Sequence, residues 1–199
     1  MTTATVFSDE RGANMRYFVA NDVAALLYLT NLGCIDHNPW SSDADHQDQP
    51  DFVFFDLDPT PRTPFSAVLE VAGKIYAVLD SIGLRAFLKT SGATGFHIYV
   101  PLERRYTYAQ AAQFAGVIAR VVAAELPRLT TLERSISKRP PGRVLIDVHQ
   151  NARGKPLAAV YSVRATPEAS VSAPVTPAEL ARGFGKPREF TMENIEERI

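Results

Sequence analysis

Two aspartates close an apolar run, Phe52-Val-Phe-Phe-Asp56-Leu-Asp58. On a strand, residues i and i+2 point to one face with Cα atoms roughly 6.5–7 Å apart, so Asp56 and Asp58 look into one site. At about 4 Å, two carboxylate charges repel by roughly 4 kcal/mol at an effective dielectric of about 20. A proton or a divalent cation must offset that. A third acid stands in a matching context, Arg143-Val-Leu-Ile-Asp147, another apolar strand with one aspartate near its end. Three strand-borne carboxylates suit magnesium or manganese, because hard cations take oxygen ligands.

Between these acids lies Lys89-Thr-Ser91-Gly92-Ala-Thr94-Gly95-Phe-His97. Two glycines in a short turn let backbone amides face one way, as in an anion-binding nest. Ser91 adds a hydroxyl donor, and His97 opens the returning strand where its ring reaches the same anion. Following Asp147, strand alternation puts His149 on the same face, where it is read as a structural sheet histidine. Gln150, Asn151 and Arg153 are polar turn residues suited to sugar and phosphate contact. Lys89, Asn151, Arg153 and Lys155 are the candidates for phosphate or nucleic-acid contact, and Arg164 ends a later strand as a further cation. His37 and His46 match no zinc spacing and are assigned no chemistry; Arg104 and Arg105 are expected at a solvent-facing turn.

These residues must be positioned by a chain of 199 residues, read as a single domain burying roughly 70% of its unfolded surface. Apolar content of 46% with 22% charged residues is ordinary for a globular protein. A lone cysteine, Cys34, excludes an internal disulfide and a cysteine-rich zinc site; burial in an apolar segment is expected for it. Neither a secretory leader pattern nor an apolar run of about 18 residues occurs, so cytoplasmic residence is expected. The net charge of −1 conceals an asymmetry. Residues 36–58 carry seven aspartates and no lysine or arginine, whereas 134–164 carry Arg134, Lys138, Arg139, Arg143, Arg153, Lys155 and Arg164 against Asp147 alone. An acidic and a basic region in one domain suit a metal held against a polyanion, with salt-sensitive binding.

The elements follow from periodicity. Residues 1–15 are expected to be frayed and flexible, with a short strand at 15–19. Asn21 caps a helix to Leu32, closed by Gly33. Phe52 to Leu57 is a buried central strand. Thr63-Pro64 opens a helix running to Gly83 with a cap and a first-turn proline. Strands at 86–89 and 96–102 flank the glycine turn as a hairpin, and Thr107 with Gln110 forms a capping box for a helix to Leu126. Strands at 144–149 and 158–164 follow, then a short helix capped at Thr176, and the acidic tail offers another. The resulting class is α+β with a mixed central sheet flanked by helices.

Four segments carry a resemblance: FDLDP (55–59), KTSGATGFHIYVPL (89–102), DVHQNARGK (147–155) and YSVRATPEASVSAPV (161–175), with NLGCIDHNPW (31–40) in support. Together they resemble the polymerase domain of bacterial ATP-dependent DNA ligase D, in the archaeo-eukaryotic primase superfamily, from about residue 16 onward. That resemblance implies a primase-polymerase catalytic core with an RRM-like palm. It implies a template-directed nucleotidyltransferase of end joining, often preferring ribonucleotides and manganese. Asp56, Asp58 and Asp147 then hold two Mn2+ or Mg2+ ions. Ser91, Gly92, Gly95, His97, Gln150 and Arg164 surround the incoming NTP or dNTP. Expected partners are primer-template or gapped DNA, the end-joining protein Ku and a ligase domain. Two departures stand out: Thr94 occupies a position where the family commonly carries lysine, and the family's usual N-terminal lobe is expected to be missing, which bears on 5′-phosphate recognition. Two alternatives remain at this point. One is a non-catalytic DNA-binding remnant of this domain; the other is a haloacid-dehalogenase-type phosphatase, since Asp56-Leu-Asp58-Pro-Thr60 fits DxDxT.

Overall fold

Alternation along one central strand sorts its side chains onto two faces, and the architecture is built on the difference between them. The computed structural model describes residues 2–8 and 11–199. In chain order its elements are β1 (Thr2–Ser8), β2 (Ala13–Val19), α1 (Val23–Asn31), β3 (Phe52–Pro59), α2 (Phe65–Ser81), β4 (Phe87–Thr90), β5 (Phe96–Pro101), α3 (Tyr108–Glu125), β6 (Thr130–Thr131), β7 (Val144–Asp147), β8 (Pro174–Val175), α4 (Pro177–Arg182) and a closing 3-10 turn, Ile195–Arg198. β1 and β2 form a separate hairpin, and the other six strands form one sheet in the order β6-β7-β3-β5-β4-β8. Among the described residues only β6 and β7 pair in parallel; the remaining neighbours are antiparallel. The expected α+β class with a mixed sheet is the observed one.

Val53, Phe55 and Leu57 of β3 share one face with Phe96, Ile98 and Val100 of β5, and all are buried in the main core. α2 and α3 cover that face, α2 through Val68, Val71, Ala72, Ile75 and Leu79 and α3 through Ala111, Ala115, Ile118, Ala119 and Val122. Helical spacing of those side chains supplies the apolar stripe each helix needs to dock. The opposite face of β3, away from α2 and α3, presents Phe54, Asp56 and Asp58.

Caps separate the accurate sequence expectations from the others. The Thr107–Gln110 capping box is present, as is one pairing Thr176 with Glu179 and a proline in the first turn. Asp22, rather than Asn21, caps α1, its carboxylate accepting from Ala25 N at 2.7 Å. Pro64 occupies the N-cap of α2 without a side-chain cap, because the Thr63 hydroxyl donates to Arg143 O at 2.8 Å instead.

Several strands also differ. Within the stretch 1–15 expected to be frayed, Met1, Asp9 and Glu10 lie outside the described residues, and Thr2–Ser8 pairs with Ala13–Val19. β7 stops at Asp147, so the alternation argument for His149 fails; His149 N instead donates to Asp147 Oδ1 at 2.8 Å in a turn. Residues 158–164 form no strand, since Tyr161 takes a φ of 62°, incompatible with an extended run. None of the residues of α1 is buried, and Cys34 just beyond it is exposed rather than packed in a core. No helix among the described residues is long and apolar enough to cross a membrane.

The C-terminal end is pinned by Glu179, whose Oε1 receives Arg198 Nη1 at 2.8 Å. That hydrogen bond, then those from Thr176, hold the Glu179 carboxyl at about 2, below the ordinary 4.5. A depressed carboxyl stabilises the fold above its unfolded value and loses that contribution as pH falls through its folded value. Thermal melts between pH 6 and pH 2 are therefore expected to show Glu179→Gln less stable than wild type at pH 6, with the gap closing below about pH 4.5. A gap that stays constant down to pH 2 would remove the ion pair as its source.

Candidate active site

Register assembles the site. Asp56 on β3 stands opposite Asp147 on β7 and His97 on β5, and His97 stands opposite Lys89 on β4. Cross-strand partners share a face, so Asp147, Asp56, His97 and Lys89 form one polar row across four strands, on the face opposite α2 and α3. Asp58 lies two residues further along β3 on that same face.

Within the row, His97 Nε2 lies 3.2 Å from Asp56 Oδ1 and the ring is buried. Burial lowers the His97 pKa, with Lys89 and Arg164 pushing the same way and Asp56 opposing. Its Nδ1 is a buried atom with no hydrogen-bond partner among the described residues. Burial is also the first cause raising the Asp58 carboxyl well above the usual range; the charges of Asp56 and Asp147 add to it and Arg139 opposes. A carboxylate in that setting calls for positive charge.

Beside the row a cavity of about 450 Å³ is lined by Asp56, Asp58, Ser91, His97, Gln150 and Arg164, with Asn38, Thr94 and Lys155 also at its wall. It thus gathers side chains from four separate sequence motifs. Asp147 does not line it but stands beside Asp56 in register. Among the described residues, no group of three or more His, Cys, Asp or Glu side chains is placed to hold a metal ion as it stands. Asp56 is engaged by His97, and one oxygen of Asp147 accepts from its own turn. Each carboxylate keeps a second oxygen, and three carboxylates with one raised pKa remain a donor set suited in kind to a hard divalent cation.

The glycine turn works differently from a nest. Ser91 Oγ accepts from Ala93 N at 3.1 Å and from Gly95 N at 2.9 Å, so these two amides turn inward. The Ser91 hydroxyl hydrogen remains to donate outward. Neither glycine lines the cavity. Gly95 is glycine because a Cβ would stand 2.2 Å from Leu57 O, and Gly92 (φ 70°) because a Cβ would stand 2.7 Å from Arg164 Cγ.

Three of the phosphate candidates are engaged within the protein itself. Lys89 is 1% exposed, its Nζ bonded to Ser172 Oγ and lying over the Tyr99 ring. Burial, aided by Arg164 and opposed by Asp56, lowers its pKa to about 7. Asn151 is buried, its amide bonded to Phe54 N, Phe54 O and Val148 O. Arg153 bonds Phe7 O and Gln47 Oε1 and pairs with Asp48 at 2.9 Å. Lys155 alone of the four is an exposed side chain at the cavity.

The charge asymmetry resolves into tertiary pairing. Arg104, far from idle at its turn, reaches Asp51 at 2.5 Å and Asp43 at 2.8 Å. Asp36 pairs with Arg164. Arg139 and Arg143 bond backbone carbonyls. Much of the basic run therefore braces the structure instead of facing a polyanion. Sequence reasoning missed the Arg104 and Asp36 ion pairs because they join residues far apart in the chain.

Comparison with known proteins gives one consistent result. The family model for the LigD primase-polymerase domain matches residues 1–199. The multifunctional non-homologous end joining protein LigD of Pseudomonas aeruginosa is 37% identical over 156 residues, 78% of this chain and 18% of that protein. The bifunctional LigD of Bacillus subtilis is 31% identical over 185 residues, 92% of this chain and 30% of that protein. The chain thus spans less than a third of these curated relatives. Among solved structures, the polymerase domain from Mycobacterium tuberculosis ligase D in complex with DNA superposes with a TM-score of 0.86 at 26% identity, over 100% of this chain and 70% of that one. A match over every residue, joined to that shared fold, means the chain belongs to the LigD primase-polymerase domain family.

Proposed function

We propose that this chain is a template-directed nucleotidyltransferase of DNA end joining, acting on primer-template or gapped DNA with nucleoside triphosphates. The observation that carries this reading is one cavity lined by Asp56, Asp58 and His97 together with Ser91, Gln150, Lys155 and Arg164, with Asp147 opposite Asp56 in register. The primer 3′-hydroxyl releases its proton to solvent as its oxygen forms a bond to the α-phosphorus, the bond from that phosphorus to the α–β bridging oxygen breaks, and pyrophosphate leaves. Asp56, Asp58 and Asp147 are the residues to hold Mn2+ or Mg2+; such ions, when bound, would activate the attacking hydroxyl and stabilise the leaving oxygen.

The chain's own groups do the rest. His97 orients Asp56 through their shared hydrogen bond. Ser91 offers its hydroxyl hydrogen to a phosphate oxygen, its own oxygen being occupied by two turn amides. Arg164 and Lys155 bring positive charge to the triphosphate, and Gln150 adds a polar contact. DNA as a partner is supported by the relative solved with DNA. Ku and a ligase domain are partners proposed from the end-joining proteins the chain resembles. Cytoplasmic action follows the same reasoning.

The test is primer extension on gapped DNA with labelled nucleotide and manganese. Asp56→Ala, Asp58→Ala and Asp147→Ala are each expected to lower extension by about a hundredfold or more, as loss of a preorganised charge does, with folding intact by circular dichroism. Near-normal extension by any one variant removes that residue from the metal set. DNA binding without extension by wild type favours the accessory reading, and hydrolysis of p-nitrophenyl phosphate favours the phosphatase.

A further inference from the structure

Asp36 receives no role from the sequence motifs, yet it sits at the junction of two side chains that line the cavity. Its Oδ2 lies 3.4 Å from Arg164 Nε, close enough to pair electrostatically though not aligned as a hydrogen bond. Its Oδ1 accepts from Asn38 Nδ2 at 2.8 Å and from Ser162 Oγ at 3.3 Å. Asn38 and Arg164 both line the cavity. The surrounding backbone fixes this junction: His37 N donates to Ser162 Oγ at 2.7 Å, and Ala159 N donates to His37 O at 2.9 Å. Beneath the arginine, the missing Cβ of Gly92 leaves room for its stem, and Arg164 N donates to Ser170 O at 2.7 Å.

Arg164 is thus held at its backbone, along its stem and at Nε. Among the described residues its two Nη groups carry no partner. A carboxylate on the Nε side leaves the Nη groups open for an anion, which is the geometry of a guanidinium aimed before its ligand arrives. A free arginine carries much rotamer entropy, and fixing it in advance reduces what ligand binding must give up. We propose that Asp36 is a positioning residue that presets Arg164, with Asn38 beside it, for the triphosphate of an incoming nucleotide. This rests on the nucleotidyltransferase reading above.

Asp36→Asn separates the roles, since an amide oxygen still accepts from Ser162 and Asn38 while the charge facing Arg164 is gone. The experiment measures ATP binding with manganese by calorimetry, nucleotide KM and kcat in primer extension, and the thermal midpoint, all on the full chain. Asp36→Asn is expected to weaken ATP binding by about tenfold, the scale of one charge-assisted contact, raising KM with kcat little changed. Asp36→Glu, which keeps the charge, is expected to recover most of the affinity. In an Arg164→Ala background, Asp36→Asn is expected to add nothing. Wild-type affinity in Asp36→Asn, or a loss that adds in full to that of Arg164→Ala, overturns the proposal while leaving the nucleotidyltransferase reading standing. Should Asp36→Asn fail to fold, Asp36→Glu decides: folded but without recovered affinity, it overturns the proposal too. A wild-type chain that binds no ATP overturns both.

Discussion

Gly95→Ala is expected to lower primer extension by about a hundredfold and to destabilise the protein by up to about 3 kcal/mol. The added methyl would stand 2.2 Å from Leu57 O and 3.2 Å from Leu57 C. Both are backbone atoms of the central strand, so neither can swing aside as a flexible side chain would. Leu57 lies between Asp56 and Asp58, and Phe96, next to Gly95, pairs with it in register. Relief therefore comes from shifting β3 where its two acids are placed, and a displacement of about 1 Å at a reacting centre costs on the order of a hundredfold in rate. A thermal midpoint lower by about 6–12 °C accompanies a loss of that size in a domain of this length. Gly73→Ala is the control: nothing stands within 4 Å of its Cβ position on α2, and alanine favours the helix by about 0.5–1 kcal/mol. Full extension by Gly95→Ala would show that the turn's approach to β3 does not set the acids.

What the sequence disclosed and what it hid divide along the range of the interactions. Period-two alternation put Asp56 and Asp58 on one face of an apolar strand, and the structure has them there. Its capping rules located α3 and α4 because a capping box is local, spanning Thr107 to Gln110 and Thr176 to Glu179. The glycine turn was legible as a turn but misread as a nest, because nothing local reveals that Gly95 exists to admit Leu57 O. Lys89 was legible as a cation, yet its burial follows from three neighbouring segments: Ser172, Tyr99 and the row beside His97. Arg104 and Asp36 were invisible for the same reason, their partners lying 53 and 128 positions away respectively, counted from Asp51 and Arg164. Strand 158–164 failed because composition does not report the left-handed backbone of Tyr161.

Replacing Asn151 is expected to unfold more than it unbinds. β7 ends at Asp147, opposite Asp56, so the backbone of Phe54 two residues earlier has no strand beside it on that side. Asn151 supplies the missing partner with its side chain: Oδ1 accepts from Phe54 N at 2.9 Å, and Nδ2 donates to Phe54 O at 2.7 Å. A side-chain amide here imitates a peptide group and extends the ladder by one pair, while a second bond to Val148 O at 2.9 Å closes the turn that carries Gln150. Asn151→Ala leaves both backbone groups of a fully buried residue unpaired, each at a penalty of about 1–3 kcal/mol, for a total of about 3 kcal/mol once relaxation is allowed. Asn151→Asp is nearly the same shape but cannot donate to either carbonyl and buries a charge, so it is expected to be at least as damaging. Urea titration of both variants checks this, with DNA affinity measured below the unfolding transition. A residue serving phosphate contact would behave the other way, keeping its stability while DNA affinity fell. If Asn151→Ala melts with wild type, the end of β3 is held by something other than this amide, and the placing of Asp56 opposite Asp147 loses its nearest support.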